Sequence, residues 1–505
     1  MPSQIEDSTI MKRYALRRFN LTPATRQGRM LVKGGGILTG LACILHIALG
    51  ADPIVVCLAG LALLLSIYPV SIYGYLNIGA VLIAMLGLRY VGFALFAKLA
   101  MGQPLDTHLI DPVGSFGVLL LGLLGYFAAL IIAIQFSVGR PFLQTTTNKA
   151  MLGRVSFIAA AIGITANLSV AFRAGENYSG LTVAEFFIPF LHFALISAVA
   201  RNMKASEGQR SVDLWVVSLL IMEITFAMVQ NSRMALMEMF LCFIVTVIAF
   251  ETRIKWRQFT VTVIAIGMMV IFVTPVFLYV RDSRDDLSWT QRIEATLEMV
   301  VKWPEAFVYY QNYRDLVDRI GWYLNYYGSP QNVFERMTLI NHVDVLKAGS
   351  DSHGNVGLED LSLSVERAMP RMLSPDKPRD YSQGSWLYER IGISNPGPYA
   401  TAPLIGNGYV AFGWAGAFFY PLVLGLAWLL IVKKISGWDL RGNIWAIYLL
   451  LRVHNQFVEG SSDAYVLHIF RSLPQDLVLL WILSTVARGR FLYPRQRRTA
   501  QIHGK

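Results

Sequence analysis

Three arginines lie at the points where long apolar stretches of the sequence end. Arg233 is in the short polar segment Gln230–Arg233 between two such stretches, and Arg281 and Arg284 follow directly after a third. A guanidinium group donates a planar fork of hydrogen bonds that matches the oxygens of a phosphate group. Aspartates adjoin Arg281 and Arg284 and offer them local ion pairs, whereas no acidic residue adjoins Arg233. Arg233 is therefore the stronger candidate for binding a diphosphate.

The long polar segment that follows contains a predicted helix with two further candidates. Residues Asn332–Leu346 have apolar side chains at helical spacing, with Arg336 in the middle of the apolar face and His342 on a polar stripe. A buried arginine needs a carboxylate or an anionic ligand, and both alternatives remain open for Arg336. His342 is a candidate catalytic base because imidazole titrates near neutral pH, and a plain hydrogen-bonding role is the alternative.

Further basic residues lie in a proline-rich segment after this helix. Arg371, Lys377 and Arg379 are spaced among prolines that hold the chain extended. The segment either presents these side chains to a ligand or forms a solvated connector.

Ionisable residues also occur inside apolar stretches, at Glu223, Glu238, Arg452 and His454. Because a charge in hydrocarbon is costly, such residues are functional candidates by default. Pairing with a neighbouring helix is the alternative for Glu223. The sequence has no catalytic serine motif, nucleotide-binding loop or metal-ligand cluster. We therefore expect no metal site and no cofactor.

The elements that must position these residues are apolar helices. The chain has 505 residues, of which 54% are hydrophobic and 15% are charged, and its formal net charge is +11. A soluble protein carries about 25% charged residues, so the shortfall indicates a surface that faces lipid. The basic residues occur in short clusters between apolar stretches, which is typical of one edge of a membrane and argues against nucleic acid as a partner.

The predicted fold is an all-α polytopic membrane protein with about twelve transmembrane helices, since each crossing needs roughly 20 apolar residues. The predicted spans are 33–50, 53–70, 74–98, 114–137, 154–172, 182–200, 212–230, 233–250, 259–280, 403–432, 442–458 and 466–487. With this topology all the lysine and arginine clusters fall on one side, which places both termini in the cytoplasm.

This topology divides the chain into five segments. They are a basic cytoplasmic N-terminal segment (1–32), helices one to nine (33–280), a large and mostly helical loop domain on the non-cytoplasmic side (281–402), helices ten to twelve (403–487) and a basic cytoplasmic tail (488–505). Ordinary connections have about 4–6 residues, so a loop of this length is expected to be functional. Its aromatic residues either stack on sugars or form a small core.

Four features of the sequence belong together. They are Asn231–Ser232–Arg233 at the mouth of a span, the large late loop, Met369–Pro370–Arg371 followed by Lys377–Pro378, and the glycine-rich run Ala402–Gly416 that returns into the membrane. Together they resemble the O-antigen polymerase family, the oligosaccharide repeat-unit polymerases. The resemblance covers most of the chain in topology. It implies a metal-independent glycosyltransferase in the bacterial inner (plasma) membrane that acts at the periplasmic face.

The resemblance also implies a reaction and its partners. A glycan on undecaprenyl diphosphate is transferred to the free end of an incoming lipid-linked repeat unit, which builds an O-antigen, capsule or exopolysaccharide. The expected partners are membrane lipid and the chain-length regulator and flippase of the same pathway. Arg233 and His342 are the predicted catalytic residues. The residues predicted to contact the diphosphate or glycan are Arg233, Arg281, Arg284, Arg336, Arg371, Lys377, Arg379, Arg452 and His454.

Three alternatives remain open. An O-antigen ligase would use the same lipid-linked donor but transfer the glycan to lipid A core or to a protein. A secondary transporter or a flippase for lipid-linked sugars would need polar or broken helices around a pathway at the middle of the membrane, where the sequence places few charges. The third alternative is a membrane sensor or scaffold without catalysis.

Overall fold

A computed structural model of the chain describes residues 26–143, 148–172, 187–230, 233–250, 289–320, 338–369, 383–393 and 401–486, together with 272–273, 275–277, 279–280, 287 and 326–327. Within these ranges the regular elements are helices, apart from one isolated bridge between Asn77 and Asp439. In chain order the helices are α1 (Arg26–Ala48), α2 (Pro53–Tyr73), α3 (Ile78–Ala100), α4 (Pro112–Gln135), α5 (Lys149–Phe172), α6 (Phe190–Ala205), α7 (Leu214–Gln230), α8 (Arg233–Ala249), α9 (Trp289–Val301), α10 (Trp303–Ile320), α11 (Ile340–His353), α12 (Glu359–Ala368), α13 (Gln383–Arg390), α14 (Leu404–Ile435), α15 (Ile444–Glu459), α16 (Ser462–Leu467) and α17 (Leu473–Val486).

Local sequence explains where several of these helices begin. Asp52, Asn77, Asp111 and Asn443 each precede a helix and accept a hydrogen bond from a backbone N–H group of its first turn. A proline follows both aspartates at the start of the helix, where a missing N–H group leaves no hydrogen bond unmade. The starts of α2, α3, α4 and α15 are therefore determined by adjacent residues.

Five helices are long and apolar enough to cross a membrane, namely Pro53–Tyr73, Ile78–Ala100, Pro112–Gln135, Lys149–Val170 and Leu404–Ile435. Shorter apolar helices occur at Val32–Ala48, Leu214–Gln230 and Ala235–Ala249. Large apolar side chains face outward on α1 and α14, where Ile37 is 72% and Val423 is 59% exposed. Such a surface is consistent with a membrane protein. The count of twelve spans stays a prediction, and residues 251–271, with most of the predicted ninth span, lie outside the described ranges.

The bundle formed by α1–α8 and α14–α17 has two distinct ends. At the first, which we call the cap end, α11 packs against α4 and α14, α12 packs against α16, and α9 packs against α7. We call the helices α9–α13 the cap. At the opposite end Lys433 donates to the carbonyl oxygen of Phe136 at 2.6 Å, and the N–H group of Gly442 donates to that of Ala249 at 3.0 Å. The described residues of the predicted cytoplasmic clusters lie at this opposite end: Arg140, Lys149, Arg154, Arg201, Lys204, Arg210, Lys433, Lys434 and Arg441. These described clusters thus share one end, while the membrane face that this end meets stays a prediction; the basic residues at 253–257 and in the tail lie outside the described ranges.

The cap is attached to the bundle through α11. The carboxylate of Asp344 accepts hydrogen bonds from the backbone of Ile110 at 2.6 Å and Asp111 at 2.9 Å, and from the Ser115 hydroxyl at 2.7 Å. One turn later, the ammonium group of Lys347 is 2.7 Å from the carboxylate of Asp111. These contacts hold α11 over the N-terminus of α4.

The helix α11 begins later than the sequence predicts. Thr338 and Leu339 are not helical, and the helix continues to His353 rather than ending at Leu346. The predicted start at Asn332 falls in residues 331–337, which lie outside the described ranges. The N–H group of Leu339 donates to the carbonyl oxygen of Arg89 at 3.0 Å, so a contact with α3 occupies the backbone where the predicted helix would continue.

The helix α14 is interrupted, although the sequence predicts one continuous span over 403–432. Phe412 and Gly413 have non-helical backbone angles, and φ of Gly413 is +59°, a conformation that favours glycine. A Cβ atom on Gly416 would lie 1.9 Å from the backbone oxygen of Gly408, although eight residues of straight helix would span about 12 Å. The chain therefore folds back on itself here. The lack of side chains at Gly408 and Gly416 allows this close approach of the backbone.

Candidate active site

His342 lies on α11, where the cap meets the bundle. Its Nδ1 atom is 2.9 Å from the hydroxyl oxygen of Tyr388 on α13. The Tyr388 hydroxyl donates to the carbonyl oxygen of Thr401 at 3.1 Å. When the phenol donates its one proton to this carbonyl, Nδ1 of His342 donates to the Tyr388 oxygen. This tautomer places the lone pair of the imidazole on Nε2.

The surroundings of His342 keep its imidazole neutral. Burial, and secondly the positive charge of Arg89, lower the pKa of His342 to about 4. Arg89 lies on α3 and forms an ion pair with Glu459 at the end of α15. At neutral pH His342 is therefore an unprotonated base near a guanidinium group. An anion bound beside Arg89 would raise the pKa of His342 again, because it would offset the positive charge.

A second polar cluster lies inside the bundle and joins three helices. His192 on α6 has Nδ1 at 2.7 Å from Glu223 on α7 and Nε2 at 3.4 Å from Glu238 on α8. Both ring nitrogens thus face a carboxylate. The alternative that the sequence left open for Glu223, pairing with a neighbouring helix, is confirmed. The two glutamates, which are separate in the sequence, meet at one histidine.

A cavity of about 210 Å³ adjoins this cluster. Arg452 and Gln456 of α15 line it together with His192 and Glu238. The remaining lining is mainly apolar and consists of Ile188, Pro189, Ile196, Cys242, Tyr448 and Leu451. On its other side Arg452 is held by Asp476 of α17, with 3.6 Å between Nε and the carboxylate oxygen. The cavity thus combines a held cation, a carboxylate and an amide.

One face of α15 connects the two polar clusters. Arg452, Gln456 and Glu459 are spaced i, i+4 and i+7, so they form one stripe along the helix. At 1.5 Å per residue this stripe is about 10 Å long. At the cap end of the stripe, Glu459 forms the ion pair with Arg89 near His342. At the inner end, Arg452 lines the cavity. His454 is not on this stripe: it is buried, and its Nδ1 atom is 2.7 Å from the carbonyl oxygen of Leu451 in the same helix.

Several predicted site residues lie outside the described ranges, namely Arg281, Arg284, Arg336, Arg371, Lys377 and Arg379. Arg233 begins α8 three residues after α7 ends at Gln230, as its position in a short turn predicts. Its side chain is also outside the described part. The backbone of Arg233 lies at the cap end of α8, between one and two helical turns from Glu238. The structure thus brings Arg452 beside Glu238 and His342 near Arg89, and His454 lies within electrostatic reach of Glu238 and Arg89.

Five residues of these clusters were not predicted from the sequence: Arg89, His192, Tyr388, Gln456 and Asp476. Three of them are ionisable groups in apolar stretches, so the criterion that selected the two glutamates would also select them. Arg89 further lies in the π-helical segment Leu88–Gly92, and such segments are frequent at functional sites. Tyr388 has no comparable local signal, because its contacts are with residues distant in the sequence.

The predicted aromatic sugar-stacking residues are partly placed. Tyr326 and Tyr327 are buried, and the Tyr326 hydroxyl donates to the carbonyl oxygen of Leu105. These two rings form core, which is the alternative that the sequence left open. Within the described ranges, no three His, Cys, Asp or Glu side chains are arranged to hold a metal ion.

Comparisons with known proteins found no relative of this chain: no protein-family model, no curated protein and no solved structure matches it. The function has to be inferred from the chemistry of the site.

Proposed function

We propose that this chain is a membrane glycosyltransferase that polymerises undecaprenyl-diphosphate-linked oligosaccharide repeat units into a surface polysaccharide. The reaction takes place at the periplasmic face of the bacterial inner membrane. The observation that carries the proposal is His342, a neutral imidazole that contacts Tyr388 and is located near Arg89 where the cap meets the apolar bundle. A lipid-linked sugar needs a base and a cation at such a boundary, because its reacting end is polar and its tail is apolar.

The proposed step is a single displacement at the sugar carbon that carries the diphosphate. A hydroxyl group of the acceptor glycan attacks this carbon, the new glycosidic bond forms, and the bond to the diphosphate oxygen breaks. Nε2 of His342 takes the hydroxyl proton. The electron pair leaves with the lipid diphosphate, whose negative charge is stabilised by guanidinium groups. No metal ion takes part in this scheme.

The guanidinium groups come from several parts of the chain. Arg233 is the principal proposed diphosphate contact, and Arg336 and Arg371 are proposed beside it. Arg89 joins them because its charge acts on His342. Binding of the diphosphate near Arg89 would raise the pKa of His342 from about 4 towards neutrality, which makes it a better base at the time of reaction.

The test is polymer formation in a deletion strain that expresses each variant. Arg233→Ala should abolish the ladder of polymer lengths without loss of the inserted protein. His342→Ala should lower the rate of polymer formation by about 10²–10⁴-fold, which is the usual contribution of a general base. The matched control is His353→Ala, because His353 is exposed on the same helix and should be dispensable. Normal polymer length and yield in the Arg233 and His342 variants would contradict the proposal.

The same strain separates a polymerase from a ligase. Loss of a polymerase leaves single repeat units on the final acceptor, so only the ladder disappears. Loss of a ligase leaves polymer on the lipid carrier and removes every glycan-capped acceptor.

Transport of a lipid-linked sugar is a second candidate, supported by one observation. The sequence places few charges in the middle of the bundle, but the structure brings His192 together with Glu223 and Glu238, and Arg452 with Asp476. Such clusters also occur in proton-coupled transporters. A transporter variant would leave the lipid-linked oligosaccharide on the cytoplasmic face, whereas a polymerase variant would leave it on the periplasmic face, where added glycosidase can reach it.

A further inference from the structure

The cavity inside the bundle is lined by hydrogen-bonding groups of both kinds. Arg452 can only donate hydrogen bonds, and Glu238 when ionised can only accept them. Gln456 adds a side-chain oxygen, Oε1, that is buried and has no hydrogen-bond partner among the described residues. Buried polar atoms of this kind are costly unless a ligand or water completes them.

The charge around the cavity selects the class of ligand. Arg452 and Glu238 both line it, so a bound anion would meet the carboxylate and a bound cation would meet the guanidinium. A neutral group that both donates and accepts hydrogen bonds avoids either repulsion. A hydroxyl group of this kind can donate to Glu238 or to Oε1 of Gln456 while it accepts from Arg452.

The rest of the lining is mainly apolar. Ile188, Ile196 and Leu451 contribute aliphatic surface, and the volume of about 210 Å³ corresponds to about seven water molecules of about 30 Å³ each. A pyranose ring has hydroxyl groups around its edge and C–H groups on its faces. The polar and the apolar groups that line the cavity match these two kinds of surface.

We propose that this cavity is a sugar-binding subsite, in which Arg452, Glu238 and Gln456 hold the hydroxyl groups of one neutral sugar ring of the substrate. The inference rests on the proposed glycosyltransferase function, because that function supplies the substrate. It adds a place for a sugar about 10 Å along α15 from the ion pair of Glu459. His192 is a positioning residue here, because Glu223 on its other side fixes the ring that contacts Glu238.

Cys242 lines the cavity and allows a direct test. The other two cysteines are Cys43 and Cys57, so the double variant Cys43→Ser, Cys57→Ser leaves Cys242 as the single thiol. The purified protein is reacted with N-ethylmaleimide in the presence of methyl glycosides of common hexoses and N-acetylhexosamines, and of oligosaccharides released by mild acid from the lipid fraction of the parent cells. A sugar at ten times its Kd should slow the labelling of Cys242 about eleven-fold.

Two variants locate the effect. Gln456→Leu keeps the size of the side chain but removes the unpaired oxygen, and it should abolish the protection of Cys242. Ile196→Phe fills the cavity with an apolar ring, and it should also abolish the protection. Gln135→Leu is the matched control, since Gln135 is exposed at the opposite end of the bundle and its variant should retain protection. If Cys242 does not react, thermal unfolding with and without each sugar tests the binding instead. A bound sugar raises Tm, and Gln456→Leu should remove this rise.

Absence of any effect of these sugars on labelling and on Tm would overturn the proposal, and so would equal protection in the Gln456→Leu and Ile196→Phe variants. Protection by inorganic pyrophosphate instead of sugars would also overturn it and assign the cavity to an anion. The proposed function fails independently, when polymer forms normally without Arg233 and His342. Sugar binding together with that result would retain the subsite and reject the polymerase.

Discussion

Tyr388→Phe tests whether the hydrogen bond to Nδ1 sets the tautomer of His342. The substitution keeps the ring and removes one oxygen, which accepts from His342 at 2.9 Å and donates to Thr401 at 3.1 Å. A hydrogen bond between neutral groups contributes about 1 kcal/mol net. Without it, the tautomer with its lone pair on Nε2 loses about that much of its preference, which corresponds to a rate about five-fold lower. His342→Ala removes the base itself and should cost about 10²–10⁴-fold.

The assay is the initial rate of polymer formation by purified protein in proteoliposomes, with the lipid-linked repeat unit as substrate. The loss in Tyr388→Phe should appear in kcat with KM unchanged, since the hydroxyl acts on the base and not on substrate binding. Tyr409→Phe is the matched control, because Tyr409 donates to Asp351 at 2.7 Å, more than two helical turns along α11 from His342. It should retain the wild-type rate.

Two results would refute the reasoning about Tyr388. A rate equal to that of the wild type would mean that the hydroxyl does not orient the imidazole. A loss as large as that of His342→Ala, in a protein with unchanged thermal stability, would mean that Tyr388 itself takes part in the reaction.

Three further predictions concern the attachment of the cap, the break in α14 and pH. Lys347→Met removes a cation that is held between two carboxylates, and it should make the cap measurably more sensitive to limited proteolysis. Lys302→Met removes only an exposed ion pair and should leave this sensitivity unchanged. Equal sensitivity of the two variants would contradict the prediction. Gly416→Ala should destabilise the protein by about 1–3 kcal/mol in thermal or denaturant unfolding, because its Cβ would meet a backbone oxygen. Gly40→Ala is the control and should be neutral or stabilising, because the space around Gly40 is open. Unchanged stability of the Gly416→Ala protein would exclude the folded-back backbone. The pKa of His342 is about 4 in the folded cap and 6.5 in the unfolded chain, so the unfolded chain binds more protons between these pH values. The stability of the cap should therefore fall by about 3 kcal/mol as the pH drops from 6.5 to 4. Hydrogen exchange of α11 measures this fall, which His342→Gln should remove; the same pH dependence in that variant would assign it to another group.

Local sequence determines much of the helical framework. Apolar stretches of about 20 residues predict membrane helices because of their composition, and capping residues such as Asp52 and Asp111 mark where helices begin. The basic clusters predict which helix ends lie together, since each cluster is contiguous in the chain. These features depend on neighbours within one helical turn or one span, which is why the sequence alone contains them.

The sequence also selected candidate residues without their partners. His342, Glu223, Glu238 and Arg452 stand out by residue type and by their surroundings in the chain. Their alternatives stayed open, because a charge in an apolar stretch is compatible with a ligand and with a structural pair. Only the contacts of Glu223 with His192 distinguish these cases.

Tertiary structure decided the site itself. The tautomer of His342 depends on Tyr388 and Thr401, its pKa depends on Arg89, and the cavity exists only where α6, α8 and α15 meet. The fold-back of α14 likewise depends on the close approach of two glycines. Each of these features joins atoms that are distant along the chain or depends on a break in the backbone. Hydrophobic periodicity could not predict them, because it shows which face of a helix is buried and not which partner that face meets.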